Sequence, residues 1–472
     1  MTAGRKEDDR DVSHRNHKSP FREDFTQAGK RIGWTYILLN VIVVFLVCQQ
    51  NLDAPNLSQI GRSFSLTGVQ IDARIGGEAF MWQMIVASIS LIVFGYLADR
   101  RNRKVLLVIT LLASGLAYLV TPLARTVDQF IVLRSLAGIG IGGIVPVMFS
   151  VLGDLFTARS RAAASGIFMA VGNVGYGNGF VLGSLIGSEN ALGWKASFMV
   201  QSLILLALAA LFMAFGRLPE RGWADMRGAM ALKDGDSEYR GRIKISDVSR
   251  ILTNHTNLIF IVSCLISSMP LGYIQRFMVD YFAGTVGMGA GSATLMLLLV
   301  LGGSLGGDLM GGVLGDVLRR KDRRYPPLLA ALVILGGCIL FYAFFVYPLP
   351  FNPGWKALAI PIVIGFCAAA FIETAVPLSK AIMLNVNVPE NRGTISALIQ
   401  ITAQIGYGLG ALIGVFGPAC AAWMDLPHSH IFNFKLAVLI WIPVALSWLI
   451  VIRTAPRDEE RMERLMQEKM RR

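Results

Sequence analysis

Uninterrupted apolar runs constrain this chain more than any other feature. TYILLNVIVVFLV, TLLASGLAYLV, SLILLALAALFMAF and LAVLIWIPVALSWLIVI contain no charged side chain. Roughly 20 mostly apolar residues are needed to carry a helix across the hydrocarbon layer of a bilayer. Runs of that length recur along the sequence, about twelve in all. They begin near Trp34, Gly77, Val105, Gln129, Ala163, Ser197, Leu258, Ser292, Pro326, Lys356, Thr394 and Phe434. The backbone has no water to bond inside lipid, so spans of this kind are helical. The chain is 54% hydrophobic and 16% charged, too apolar to cover a soluble globule. The expected fold is an all-α membrane protein with twelve transmembrane helices in two six-helix halves.

The net charge of +13 invites a nucleic-acid reading, but its placement argues against one. Lys and Arg concentrate in the N-terminal tail, the 100–104 turn, the 217–250 segment, the 319–324 turn and the C-terminal tail. With twelve spans these segments share one side. The opposite loops carry scattered cations: Arg62, Arg74, Arg125, Lys195, Lys356 and Lys435. This is the positive-inside asymmetry, and it puts both termini in the cytoplasm. The default location is a bacterial inner membrane. The polar N-terminus does not read as a cleaved signal peptide.

The expected organisation is a cytoplasmic tail over 1–32, a first half over 33–216, a central cytoplasmic loop over 217–257, a second half over 258–453 and a C-terminal tail over 454–472. Within the central loop, ISDVSRIL suits a short surface helix with Ser246 as its N-cap and Val248, Ile251 and Leu252 on one face. In the C-terminal tail, Met462, Leu465, Met466 and Met470 fall along one face that suits the membrane surface. The halves repeat. Gly95-x-Leu97-x-Asp99 matches Gly312-x-Leu314-x-Asp316 at the end of each half's second span. RAAASGIFMAVGNVGYGNGFVLG from Arg161 recurs as RGTISALIQITAQIGYGLGALIG from Arg392. The shared glycines form a face on which membrane helices approach closely. Duplication with a site between the halves is a transporter pattern.

The turn GYLADRRNRK, Gly95–Lys104, ends an apolar run on a glycine, an acid and four cations. Asp99 sits where a helix leaves the lipid, and the cations fix the turn on an anionic membrane face. This turn resembles the signature G-x-L-x-D-r-x-g-r-k of the major facilitator superfamily, with Asn102 where glycine is usual. Arg134-SLA-Gly138 resembles its second signature. The resemblance covers nearly the whole chain and implies the major facilitator fold, rocker-switch alternating access, and a role for Asp99 and Arg103 in closing the cytoplasmic side; the return of the turn at Gly312 and Asp316, with Gly95 letting a second helix come close, points to a paired cytoplasmic gate. GYLADRRNRK, the run Gly153-Asp154-Leu-Phe156 and the glycine-rich fifth span look spinster-like. That branch implies lysophospholipid or sphingolipid-like cargo, often with proton coupling. One departure stands out: the late part of span one, Cys48-Gln49-Gln50-Asn51, is neutral where such proteins often carry an acid. Another is Gly175-Tyr176 in span five, where antiporters carry Gly-Pro.

Charges inside membrane spans are costly, so each is a candidate for function. Arg134 in span four either bonds backbone carbonyls or binds an anionic group. Arg276 in span seven stands four residues before Asp280, a spacing that suits a local ion pair. Lys380 can snorkel to water. Glu373 has no nearer cation on its own helix than Lys380, and protonation would remove most of its burial cost. It is the candidate for proton coupling. The neutral candidates for substrate binding are Gln50 and Asn51 in span one, Asn173 and Tyr176 in span five, and Gln404 and Tyr407 in span eleven; interhelical hydrogen bonding is the competing role. Pro270, Pro361, Pro377 and Pro443 fall inside spans and suit kinks or breaks.

Other chemistries find little support. The five cysteines lack metal-ligand spacing, and the five histidines fall in tails and loops, with His428-Ser-His430 a weak metal pair at best. No phosphate-binding G-x-x-x-x-G-K-[ST] loop is present. No cofactor, metal or catalytic residue is expected. The reading is a secondary active transporter for an amphiphilic anionic or zwitterionic molecule such as a lysophospholipid, with membrane lipids and protons as further partners. The alternatives are a proton-driven drug exporter or a small organic anion or sugar transporter of the same fold, and, in another class, a membrane receptor without flux.

Overall fold

The structure, a computed structural model, describes residues 29–98, 100–156, 161–189, 191–218, 254–388, 392–424 and 430–471. Asp99, His428, the N-terminal tail to residue 28 and nearly all of the central loop, with its expected helix at Ser246, lie outside the described residues. Twelve long helices account for almost all of the remainder. They are α1 (Gly29–Cys48), α2 (Gly68–Ala98), α3 (Arg103–Leu123), α4 (Val127–Leu155), α5 (Arg161–Gly187) and α6 (Trp194–Phe215), then α7 (His255–Gly284), α8 (Ala290–Arg319), α9 (Tyr325–Val346), α10 (Trp355–Val386), α11 (Arg392–Pro418) and α12 (His430–Glu468). Each of the twelve apolar runs has its helix. Polar residues start several of them. Asn102, Thr126 and Asn254 accept from the backbone N–H of Lys104, Gln129 and Asn257, meeting donors that a helix start leaves open.

Lipid gives helices no hydrophobic reason to associate, so close approach of backbones does much of the packing. Glycines make that approach possible. Along α5, a side chain at Gly175, Gly179 or Gly183 would run into the carbonyl oxygens of Val44, Cys48 and Leu52 on the first span. Along α11, Gly406 and Gly410 meet the carbonyls of Leu265 and Met269 on α7 in the same way. The internal repeat is thus a repeated helix–helix contact. Gly303, Gly307 and Gly311 do the same for α8 against Phe366, Ala370 and Thr374 of α10. Gly312, the residue singled out by the repeated motif, has open space beside it. The close-packing stripe of α8 runs through its neighbour Gly311.

The first span does not end with α1. The chain turns through residues 49–53, forms a single 3-10 turn over Ala54–Asn56, and continues as a short helix, Leu57–Ser63. Pro55 stands in that turn. It lacks an N–H and disfavours helical geometry in the residue before it, which breaks the span here. The second span also begins irregularly, with a π-helical stretch over Ile71–Glu78. Such wider turns re-aim backbone groups and often occur at functional positions.

Among the described residues, hydrogen bonds join the two halves on one face. Side-chain hydrogen bonds between them include those joining Asp53 to Arg276, Ser58 to Asp280, Tyr176 to Gln275, Ser184 to Thr294 and Ser88 to Gln404. All lie from mid-membrane toward the face opposite the one where α1 starts and α12 ends. On the latter face Gly153, Gly166 and Gly172 of the first half, and Gly306, Gly312 and Gly393 of the second, have nothing within 4 Å of a Cβ position. Ile167, Met169, Leu309 and Val313 are exposed there. Among the described residues, hydrogen bonds between the halves close one face, and none is described on the other, the open face.

A buried carboxylate between two arginines

The break in the first span builds the most distinctive group in the protein. Asp53 stands at the start of the turn at Pro55, makes no side-chain capping bond there, and is fully buried. Arg276 of α7 grips it with two hydrogen bonds, Nη1 to Oδ1 at 2.7 Å and Nη2 to Oδ2 at 2.6 Å. Arg134 of α4 donates from Nη2 to Oδ1 at 2.9 Å. Both guanidiniums are at most 1% exposed. Most of the remaining donors are met as well, the buried Arg134 Nε being the exception. Arg134 bonds the Gln49 carbonyl at 3.0 Å, the Gln83 Oε1 at 2.9 Å and the Tyr118 hydroxyl. Arg276 bonds the carbonyls of Gly76 and Ile75, each at 3.1 Å.

Local structure explains each partner. Breaking α1 after Cys48 frees the Gln49 carbonyl from its ladder, and Arg134 takes it. The π-helical start of α2 turns the Ile75 and Gly76 carbonyls toward α7. Gly76 itself leaves room for the Phe277 ring, which a side chain there would strike. Gly179 and Gly183 of α5 press the broken segment inward. Phe80 stacks beneath the Arg276 guanidinium at 5.2 Å, and Tyr118 lies 5.4 Å from that of Arg134.

The result is two fixed cations on one carboxylate, with Asp53 and Arg134 from the first half and Arg276 from the second. Buried charges are tolerated only when paired and hydrogen-bonded, and this cluster is well bonded. It nevertheless keeps one positive charge in excess. Planar guanidiniums are suited to bidentate recognition of carboxylate or phosphate.

The sequence reading found both arginines and missed the acid between them. Span one was counted as apolar only to residue 47, and its polar end was read as neutral. A helix starting at residue 33 needs roughly twenty residues to cross the membrane, which carries the span to Asp53. The Asp-Ala-Pro sequence was the available signal. The i, i+4 pairing of Arg276 with Asp280 does not form either. Arg276 turns to Asp53, whereas Asp280 accepts from the Ser58 N–H at 3.1 Å and the Ser58 hydroxyl at 2.8 Å.

The other candidates fall into groups. Asn51 is buried and bonds the Tyr176 carbonyl at 3.5 Å, and the Tyr176 hydroxyl bonds Gln275 across the halves. Gln50 is half-buried against the Met84 sulfur. Gln404 accepts from Ser88 at 3.2 Å, and Tyr407 is half-buried beside α7, where its backbone meets Gly272. These five lie with the arginine cluster on or next to the contact between halves. Asn173 does not join them; it is exposed toward the open face.

Glu373 is half-buried on α10 in the second half, against Gly307. The charges acting on it are Asp308 of α8 and Lys380. Asp308 was missed, although an acid in the middle of GGDLMGG is conspicuous. Lys380 is exposed, in keeping with snorkelling.

At the open face Arg103 is 6% exposed. It forms an ion pair with Asp154 and bonds the Ser150 carbonyl at 3.2 Å, tying α3 to α4. A Cβ added at Gly95 would lie 3.7 Å from the Pro146 Cβ of α4. Gly312 and Asp316 are exposed. The C-terminal segment differs from its expected place on a membrane surface. It continues α12 as one apolar-then-charged helix, and Glu459 accepts from Arg319 at 2.7 and 3.3 Å. Glu463 pairs with Arg323 at 2.9 Å, and Asp458 with the Thr256 hydroxyl at 2.6 Å.

Comparison with known proteins agrees with this architecture. The model of the Major Facilitator Superfamily matches residues 39–411. The sphingosine-1-phosphate transporter SPNS2 of Danio rerio is 27% identical over 338 residues, 66% of this chain and 62% of that protein. The chain thus matches under two thirds of that relative's length. Protein spinster homolog 3 of Mus musculus is 31% identical over 195 residues, covering 39% and 38% of the two chains. The 4-hydroxybenzoate transporter PcaK of Pseudomonas putida is 32% identical over 198 residues, covering 40% and 41%. Among solved structures, a bacterial homolog of the human lysosomal transporter Spinster, inward-facing and unoccupied, superposes with a TM-score of 0.73 at 16% identity, over 91% of this chain and 98% of that one. A D-xylose–proton symporter gives 0.65 at 14% identity, over 88% and 97%. The chain belongs to the Major Facilitator Superfamily and is similar to spinster proteins.

Proposed function

We propose that this transporter moves an amphiphilic molecule with an anionic or zwitterionic head, such as a lysophospholipid, by alternating access. The observation that carries the reading is Asp53 shared by Arg134 and Arg276 across the two halves. One carboxylate faces two guanidiniums, so a second anion is accommodated electrostatically once Asp53 gives way. A phosphate or carboxylate head competes for the arginines, while apolar side chains take the tail. Gln50, Asn51, Tyr176, Gln404 and Tyr407 supply neutral polar contacts around it. Asn173 supplies a polar contact toward the open face. Because the cluster joins the halves, exchanging Asp53 for the cargo's head weakens the closed face and shifts the balance toward opening there.

A proton is the natural coupling partner. Protonation of Asp53 removes the charge that holds both arginines, and Glu373 beside Asp308 is a second group able to carry a proton. In this reading the termini are cytoplasmic, the open face is the cytoplasmic one, and the host is a bacterial inner membrane. Gly95, Asp99, Arg103, Gly312 and Asp316 form the gate on that side. The spinster-like relatives support a lipid-like cargo.

A second reading rests on Asp308 and Glu373. Two acids within the second half suit a cationic drug, and the multidrug transporter MdtP of Bacillus subtilis is 35% identical over 124 residues, 26% of this chain. Binding separates the two. Purified protein with Arg134→Gln or Arg276→Gln loses affinity for a lysophospholipid if the first reading holds. Unchanged affinity in both variants overturns it.

A further inference from the structure

The closed face holds a second polar junction between the halves, separate from the Asp53 cluster. Asp72 lies in the π-helical start of α2 and is 8% exposed at its side chain. The His430 Nδ1 at the start of α12 is 3.8 Å from its Oδ2. Asp280 of α7 completes the group, held by the N–H and hydroxyl of Ser58. It acts electrostatically on Asp72, and His430 acts on it. The other groups facing this junction are the Tyr273 and Tyr281 phenols on α7, the latter ring 6.1 Å from His430, Asn433 one turn along α12, and Arg62 above Asp280. Arg62 is itself engaged, at 2.6 Å from Glu189 and 3.2 Å from the Ser58 carbonyl. Arg276, one turn below Asp280, is committed to Asp53.

We infer that Asp72, Asp280 and His430 form a proton-dependent latch that holds this face closed. Closure brings two carboxylates from opposite halves into one electrostatic group, with the His430 imidazole against Asp72 and the nearest arginines already occupied. Like charges gathered in a poorly solvated site repel. A proton on His430 turns its contact with Asp72 into an ion pair and offsets that repulsion. When the face opens, water enters between α2, α7 and α12 and the groups separate. The closed face therefore binds a proton more tightly than the open one, and acid favours closure. The latch does not depend on the cargo or on Asp53.

The test measures closure directly, in cargo-free nanodiscs with the same pH on both sides. A donor and an acceptor dye are introduced as unnatural amino acids at Leu192 and Phe351, exposed positions in loops of the first and second halves. Energy transfer is followed between about pH 8 and about pH 5, the range in which a histidine switch operates. The population with the closed face shut is expected to rise at least about threefold as the pH falls. His430→Gln and Asp72→Asn should each flatten the response. His255→Gln, at the exposed start of α7 and outside both the junction and the transport site, should retain it, which ties the response to His430. A wild-type distribution that does not change with pH, or an unchanged response in both His430→Gln and Asp72→Asn, overturns the inference.

Discussion

Arg276 of α7 holds both oxygens of Asp53 in the first span, at 2.7 and 2.6 Å, and thereby ties the two halves together in the middle of the closed face. Arg134 shares the same carboxylate from within the first half. Under the proposed function, stability, gating and recognition of a charged head would meet at one residue. Five expectations follow from the geometry, each with its own measurement.

Removing the carboxylate should destabilise this state strongly. Asp53→Ala leaves two buried guanidiniums without their counter-ion, and breaking a buried pair costs about 3–5 kcal/mol. Thermal unfolding in detergent should show a clear fall in Tm. Asp53→Asn keeps the shape and should fall less, while still weakening the link between halves. Equal, unchanged Tm values in both variants would mean that the cluster does not hold the fold.

The arginines should act on cargo rather than only on the bundle. A hydrogen bond to a charged group contributes about 1.5–3 kcal/mol, so losing one weakens binding by roughly tenfold to a hundredfold. Arg134→Gln and Arg276→Gln should raise the concentration of lysophospholipid needed for half-maximal uptake by at least about tenfold. Arg276→Lys should recover only part of the loss, because an ammonium cannot reproduce the two-pronged contact.

Much of this fold was legible in the sequence. Hydrocarbon runs and the internal repeat follow directly from what lipid demands of a backbone, so all twelve helices lie where those runs begin. Both arginines were legible for the same reason: a cation within such a run is costly and demands a partner or a function. Asp53 was not found because it lies past a break. Hydropathy marks where a helix stays apolar, and the Pro55 turn continues the span in a non-helical form that a run count does not follow. The partner of Arg276 was missed for a related reason. An i, i+4 acid is visible in sequence, but a carboxylate more than two hundred residues away becomes a partner only through packing. The close contact at Gly311 rather than Gly312 is similarly a matter of helix rotation.

The glycine stripe of α5 should be intolerant of bulk. Gly183→Val places a branched side chain against the Leu52 carbonyl and Pro55, which would push the broken segment and Asp53 away from the arginines. Overpacking of this kind costs about 1–3 kcal/mol. Gly172→Val, with open space around it, should leave Tm unchanged. Equal effects at the two positions would contradict the packing described for α1 and α5.

On the open face, Arg103→Ala removes the ion pair with Asp154 and the bond to the Ser150 carbonyl. Transport should slow, and charge reversal in both residues together, Arg103→Asp with Asp154→Arg, should restore part of the rate. Crosslinking rates between cysteines placed on α5 and α8 near that face would report the change in gating. Equal rates in wild type and Arg103→Ala would remove Arg103 from the gate.

Proton coupling through Glu373 predicts a variant that still binds but no longer responds to a gradient. Glu373→Gln should retain lysophospholipid binding within about twofold, since the arginines supply the charged contacts. Its counterflow exchange should persist while gradient-driven accumulation disappears. Accumulation equal to wild type would assign the proton to Asp53 alone.

The most direct measurement is flux of a fluorescent lysophospholipid into proteoliposomes of the purified protein, with and without an imposed pH gradient, alongside Asp53→Asn. The account predicts protein-dependent flux that rises with the gradient in wild type and is lost in the variant. Folded wild-type protein that carries no lysophospholipid, or an Asp53→Asn variant that responds to the gradient as wild type does, would contradict it.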